Sequence, residues 1–219
     1  MRTLVINSSN YVANSGNTYT YQLPSSWKVA DGDQIGVAAM SIYNNTFNVT
    51  SARGNNAINI MWHGITDVSY NLTIPDGYYS ATDLNYQIQQ FCILNNLYVT
   101  NSSGNYVYFI EIQQNSVRYA LQLNTYYLPT SANATTLGYT KPSGATWSFP
   151  TSNTCPQITI SKGFGALLGL SAGTYPSSIT STNQQFISNL TPVISPIDSY
   201  ILTCNLIHLS SRTVTCDTH

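Results

Sequence analysis

The sequence predicts an all-β protein of packed antiparallel sheets, and three observations lead there. Ser, Thr and Asn number 26, 26 and 23 in 219 residues. Their side chains compete with helical backbone hydrogen bonds and suit strands, turns and caps. Thr and the 17 Tyr also favour a pleated surface. Short apolar stretches recur between clusters of Asn, Gly, Ser and Pro, the punctuation of strands and turns. The composition excludes disorder, because 42% hydrophobic and 12% aromatic residues with a net charge of −1 can bury enough surface to fold. A single domain over residues 1–219 is expected, since all-β domains often reach this length.

Thr3 to Ile6 reads as the first strand. Tyr19 to Leu23 is the second, set off by a turn around Asn14, Ser15, Gly16 and Asn17 and stopped by Pro24. Gln34 to Tyr43 is apolar on both alternations, with Ile35, Val37 and Ala39 against Gly36, Ala38 and Met40, as in a central strand covered on two sides. Ile58 to Trp62 and Val68 to Ile74 continue the series. Ser80-Ala81-Thr82-Asp83 is a capping box with Asp in place of Glu, and Leu84, Ile88, Phe91 and Cys92 follow at helical spacing. One short helix is therefore expected around residues 81–95. Tyr106 to Gln113 and Val117 to Leu123 form a hairpin across Gln114, Asn115 and Ser116. In its second arm Val117, Tyr119, Leu121 and Leu123 supply a buried face, and Arg118, Ala120 and Gln122 a wet one. Residues 124–157, rich in Thr, Pro, Ser and Gly, read as a long surface connection. Ile158 to Ile160 and Tyr200 to Ile207 are late strands, and Pro192 and Pro196 confine the approach to the last to an edge or turn. About eight strands without a repeat period make a single jelly-roll, an eight-stranded antiparallel β-sandwich, the expected architecture, with another β-sandwich as the alternative.

Charge narrows the function. Seven basic and eight acidic residues make up 7% of the chain, against roughly 25% in average domains. They stand singly, so there is no basic stripe to release counterions from nucleic acid and no polybasic patch for a membrane surface. Copies of such a chain repel one another weakly, which suits a protein that lives assembled. The apolar run Leu4-Val5-Ile6 is too short for a signal-peptide core, and no stretch approaches a membrane span. Synthesis inside a cell is expected, with Cys92, Cys155, Cys204 and Cys216 reduced and disulfide pairing the lesser alternative.

No constellation of residues points to catalysis, a cofactor or a metal. Asp31-Gly32-Asp33 reads as a turn before a strand, with a calcium site the lesser reading. Asp76 lies in Pro75-Asp76-Gly77, where Pro sets φ and Gly accepts the turn. His63 ends a strand with no Gly-X-Ser-X-Gly elbow anywhere, and reads as a satisfied strand-end residue rather than a base. Lys162-Gly163-Phe164-Gly165-Ala166-Leu167-Leu168-Gly169 has the look of a dinucleotide loop, but its third Gly falls one position late and no acid follows to hold a ribose. Cys204, His208, Cys216 and His219 are zinc-competent, yet the first pair on a strand would lie roughly 13 Å apart. The residues alone describe a non-enzymatic sandwich that assembles or binds through its surface.

Four ordered blocks then resemble a known family. Leu4-Val5-Ile6-Asn7-Ser8-Ser9-Asn10-Tyr11-Val12, Tyr19-Thr20-Tyr21-Gln22-Leu23-Pro24 and Gln34 to Tyr43 are similar to the opening of the penton proteins, the minor vertex capsid proteins of virophages, those of the Sputnik type in particular, and of polinton-like viruses. Ile74-Pro75-Asp76-Gly77-Tyr78-Tyr79 followed by Asp83-Leu84-Asn85 resembles their most recognisable motif. Gly163 to Gly169, and Ser195-Pro196-Ile197-Asp198-Ser199 leading into Cys204-Asn205-Leu206, resemble their closing segments. The resemblance implies a single jelly-roll forming homopentamers at the fivefold vertices of an icosahedral virion and touching neighbouring major capsid protein trimers. It implies no cofactor and no membrane insertion, and the missing basic arm implies no direct genome binding. Ile74, Pro75, Asp76, Gly77, Tyr78, Asp83 and Leu84 enter as fold-determining positions. Residues 124–157 and the tail after Ile207 match no part of the family. The competing expectation is a carbohydrate-binding or adhesin jelly-roll, in which Tyr, Trp and Asn grip sugars. A cupin-type metalloenzyme would need clustered His, and His63, His208 and His219 are scattered.

Overall fold

Every strand pair among the described residues is antiparallel, and few helices interrupt them. The structure, a computed structural model, describes residues 13–15, 18–22, 46–194, 199–201 and 215–217. The expected strands Thr3 to Ile6 and Gln34 to Tyr43 lie outside those residues, as does the end of Tyr200 to Ile207. The chain divides into two units, Met1–Ile42 with Cys204–Ser211, and Tyr43–Thr203 with Arg212–His219. In the first, β1 (Ala13–Ser15) pairs with β2 (Thr18–Thr20), Ser15 opposite Thr18.

In the second unit β3 (Ala57–His63) pairs along its length with β4 (Asp67–Thr73). Ile58, Ile60 and Trp62 point into the core. On the other face Asn59 Nδ2 donates to Ser69 Oγ at 2.7 Å and Asn71 Oδ1 at 2.8 Å. The expected strands Ile58 to Trp62 and Val68 to Ile74 are thus found within a residue or so, and β3 alternates with period 2. α1 (Ala81–Leu94) begins with the expected reciprocal box, in which Ser80 Oγ accepts from Asp83 N–H at 3.2 Å and Asp83 Oδ2 accepts from Ser80 N–H at 2.9 Å. Ala81, Leu84, Ile88 and Cys92 form its buried face. It ends where Asn96 takes a left-handed φ of 57° and Leu97 N–H donates to Cys92 O at 2.7 Å.

β5 (Val99–Thr100) and β6 (Tyr106–Val107) make a short ladder before the hairpin of β7 (Ile110–Asn115) and β8 (Ala120–Thr125). The hairpin is where it was expected but its details differ. Asn115 pairs with Ala120, so residues 116–119 form the tip, and Val117 and Tyr119 are 89% and 91% exposed. The reading of β8 as half wet is also corrected, since all six of its residues are buried. A third strand explains this: β8 is central in the order β11-β8-β7, and a central strand is flanked by side chains on both sides. β7 is an edge, and there α1 packs against it, with Asn85 Oδ1 accepting Ile112 N–H at 2.9 Å. The helix thereby occupies a donor that an open edge would leave free.

The expected connection 124–157 narrows to residues 126–156, since Asn124 and Thr125 belong to β8 and Gln157 to β9, and it is anchored rather than loose. α2 (Ser131–Thr136), capped by Thr130, lies within it, and Leu128 pairs with Thr154 while Thr100 pairs with Thr140. Trp147 is buried, its Nε1 donates to Asn96 O at 2.6 Å, and its ring meets Trp62 edge-on at 5.2 Å. β9 (Gln157–Ile160) then joins β3, and α3 (Lys162–Leu168) follows at once. The expectation of one short helix is therefore corrected to three α-helices and a 3-10 turn, Ser51–Arg53, among the described residues. α3 hid from pattern reading because Gly163 and Gly165 lower its helix propensity by about 1 kcal/mol each. The Ser161 cap, the left-handed Gly169 at φ 73° and the burial of Phe164, Leu167 and Leu168 outweigh that deficit. β10 (Gly173–Tyr175) and β11 (Gln184–Ile187) complete the sheets β10-β9-β3-β4 and β11-β8-β7. β12 (Ser199–Ile201) pairs with β13 (Thr215–Asp217). Inward residues of the two larger sheets and of α1 and α3 share one core. The architecture of the described residues is antiparallel β with few helices and no closed barrel.

Candidate functional site

The family-like motif is a structural node. Ile74 and Leu84 are wholly buried and Tyr78 is exposed. Gly77 exchanges backbone bonds with Val49, N–H to O at 3.0 and 3.1 Å. Asp76 Oδ1 accepts Ser51 N–H at 2.7 Å, and Tyr79 hydroxyl donates to Pro75 O at 3.0 Å. Hydrogen bonds from Ser80 hold the Asp83 carboxyl below the usual carboxylate range. At the centre is Asn48, a residue the sequence did not single out. Its buried amide donates to Tyr79 O at 2.8 Å and Ile194 O at 2.9 Å, and accepts Tyr79 N–H at 2.8 Å. Asn55 in turn donates to Asn48 O at 2.7 Å. The second block reaches the same place. Ser161 Oγ donates to Gly54 O at 2.9 Å, and a Cβ on Gly163 would stand 2.8 Å from the carbonyl oxygens of both Arg53 and Gly54. The glycine of the false dinucleotide loop is there for a close backbone approach.

His63 is buried at the end of β3 with both ring nitrogens engaged. Nδ1 lies 2.9 Å from Asp67 Oδ1 and Nε2 lies 2.9 Å from Gln157 Oε1. Gln157 Nε2 donates to Pro176 O at 2.8 Å, which turns its oxygen toward the ring. With both ring nitrogens facing partners in the chain, neither is turned to a substrate, and the group braces β3, β4 and β9. The other charges behave alike. Arg53 donates to Phe47 O at 3.0 Å, Lys141 to Trp147 O at 2.7 Å, and Glu111 accepts the Tyr126 hydroxyl at 2.7 Å. Of the eight acidic and basic side chains in residues 46–194, six have such internal partners, leaving Arg118 and Lys162.

The concave polar feature lies on the outer face of β11-β8-β7. A cleft of about 300 Å³ is lined by Gln113, Gln122, Asn124, Tyr126 and Asn183 to Gln185. Gln122 Nε2 donates to Gln113 Oε1 at 2.9 Å and its Oε1 accepts Asn115 Nδ2 at 3.1 Å. Burial and the Glu111 carboxylate push the Tyr126 phenol up to about 12. The only sequence signal for this face was the polar alternation of Gln113 and Gln122 in the hairpin.

Among the described residues no group of three or more His, Cys, Asp or Glu could hold a metal, and no helix is long and apolar enough to cross a membrane. Cys92 and Cys155 are buried free thiols, with burial pushing Cys92 up to about 12. Asp31, Asp33, Cys204, His208 and His219 lie outside the described residues, and of Cys216 only the backbone, opposite Tyr200, is described. Compared with known proteins, the chain matches no protein family, no curated sequence and no solved structure.

Proposed function

We propose that this chain is a vertex capsid protein, a single eight-stranded jelly-roll that closes into homopentamers at the fivefold positions of an icosahedral virion and touches neighbouring major capsid trimers. The observation that carries the reading is how few charges stand without a partner in the chain: of the eight in residues 46–194, six are hydrogen-bonded internally. A surface with few free charges suits burial against copies of itself, because an unpaired charge in a contact costs desolvation that neutral hydrogen bonds and Tyr packing avoid. The antiparallel sheets sharing one core are compatible with the jelly-roll, and the two described motif blocks meet through residues 48–55, as fold-determining segments would. The mechanism is geometric: a head-to-tail contact repeated by rotation closes a ring, with no enzymatic step, cofactor or genome contact. Native mass spectrometry and electron microscopy of the purified full chain test it. Fivefold rings are expected; a protein that stays monomeric at high concentration and never joins a shell overturns the reading.

A further inference from the structure

Beyond the ring, we propose that β4 is the contact strand of a two-fold dimer, pairing antiparallel with β4 of a second copy of this chain. The inference is independent of the ring reading, since a fivefold ring contains no two-fold contact. Edge strands carry unpaired N–H and C=O groups that invite another strand, and proteins guard them by covering, shortness or Pro. Three of the four edges of the two larger sheets are guarded in these ways. α1 covers β7, β10 is three residues long and runs directly into Pro176, and β11 is four residues long. β4 is the exception. Its seven residues include no Pro, Lys or Arg, and among the described residues it pairs with β3 alone. On its inner face Leu72 is buried, but Val68 and Tyr70 are only partly so, as side chains without a lateral neighbour are.

The strand's own sequence selects a second copy as the occupant. With a two-fold axis at Tyr70, Asp67 stands opposite Thr73 of the second copy, Val68 opposite its Leu72, Ser69 opposite its Asn71, and Tyr70 opposite its own equivalent. That register pairs all seven residues, and it keeps both apolar faces on one side of the joined sheet, which a slip of one residue would undo. Val68 and Tyr70 then gain the cross-strand neighbours they lack. On the outer face no like charges meet. Asp67, exposed and bonded to His63 through Oδ1, keeps Oδ2 to accept the opposing Thr73 hydroxyl. The pairing also closes on itself, because the joined sheet ends on both sides in the guarded β10 and growth stops at two copies.

Sedimentation equilibrium and native mass spectrometry of the full-length protein over a concentration series test this. Two paired strands make a small interface, so a reversible dimer is expected, or paired rings where rings form. Thr73 is exposed and makes no side-chain bond within the described residues, so the subunit tolerates its replacement. Thr73→Asp sets like charges opposite Asp67 at two symmetry-related places and should weaken the dimer about fivefold at low salt. Thr73→Lys sets opposite charges there and should tighten it about fivefold. The melting temperature of the dilute subunit should stay nearly unchanged in both. A chain that forms neither dimers nor paired rings up to its solubility limit overturns the proposal, as does a dimer that answers the two substitutions alike or in reversed order. Rings that never pair overturn it and leave the ring reading standing; dimers without rings do the reverse.

Discussion

Asn48 ties three stretches of chain together through one side chain: its own strand-like segment, the turn before α1, and Ile194 near the far end of the described core. Asn48→Ala would leave the Tyr79 N–H and two carbonyls unpaired where water is excluded. Since each lost partner costs about 1–3 kcal/mol, a loss of roughly 3 kcal/mol or more is expected in urea denaturation. Asn48→Asp should not rescue it, because a carboxylate cannot donate to Tyr79 O and Ile194 O. Cys92 and Tyr126 set the alkaline behaviour. Their folded values, about 12, exceed the reference 9.0 and 10.0, so the protonated forms are the ones the fold favours. Their contribution is full below the reference values and is lost as pH rises toward about 12. The urea midpoint should therefore fall between pH 9 and pH 11.5, and Cys92→Val should flatten the Cys92 part of that fall. Asn48 was illegible in the sequence because one of 23 Asn carries no local sign of having partners so distant along the chain.

At the scale of elements, α1 was legible because its signals are local. The Ser80–Asp83 box, the spacing of Leu84, Ile88 and Cys92, and the stop at Asn95 all lie within one stretch. Ser80→Ala should cost about 1 kcal/mol. Asp83 has a folded value below its reference of 3.8, so the stability it provides is present above that reference and is lost as pH falls through the lower folded one. Asp83→Asn should therefore weaken acid unfolding's dependence on pH below 3.8, seen in a circular dichroism titration. β3 and β4 were legible for a similar reason, since alternation is a property of each strand by itself. β8 was misread because its wet face depends on whether a third strand lies beside it, and β11 comes from far along the chain. β11, Gln184–Ile187, is four residues long and half Gln, too short to show a pattern of its own. α3 failed in the opposite sense: glycines that argue against a helix are there to let two backbones meet.

For the whole molecule, the sequence showed how few the charges are but not where they point. Composition cannot tell a charge on the surface from one that braces a turn, and the structure assigns most of the described ones to braces. The proposed contacts between copies must then rest on shape, neutral hydrogen bonds and aromatic packing, which screening by ions barely touches. The Debye length shortens from about 30 Å to about 3 Å between 0.01 M and 1 M salt. The ring population in native mass spectrometry and light scattering should nonetheless be the same at both ends, whereas an assembly held by surface ion pairs would dissociate as salt is added. His63 between its two partners, and Arg53 on its carbonyl, are held at contact distance within the chain, where screening acts least. A ring of the proposed kind would therefore hold together alike in dilute and in concentrated salt.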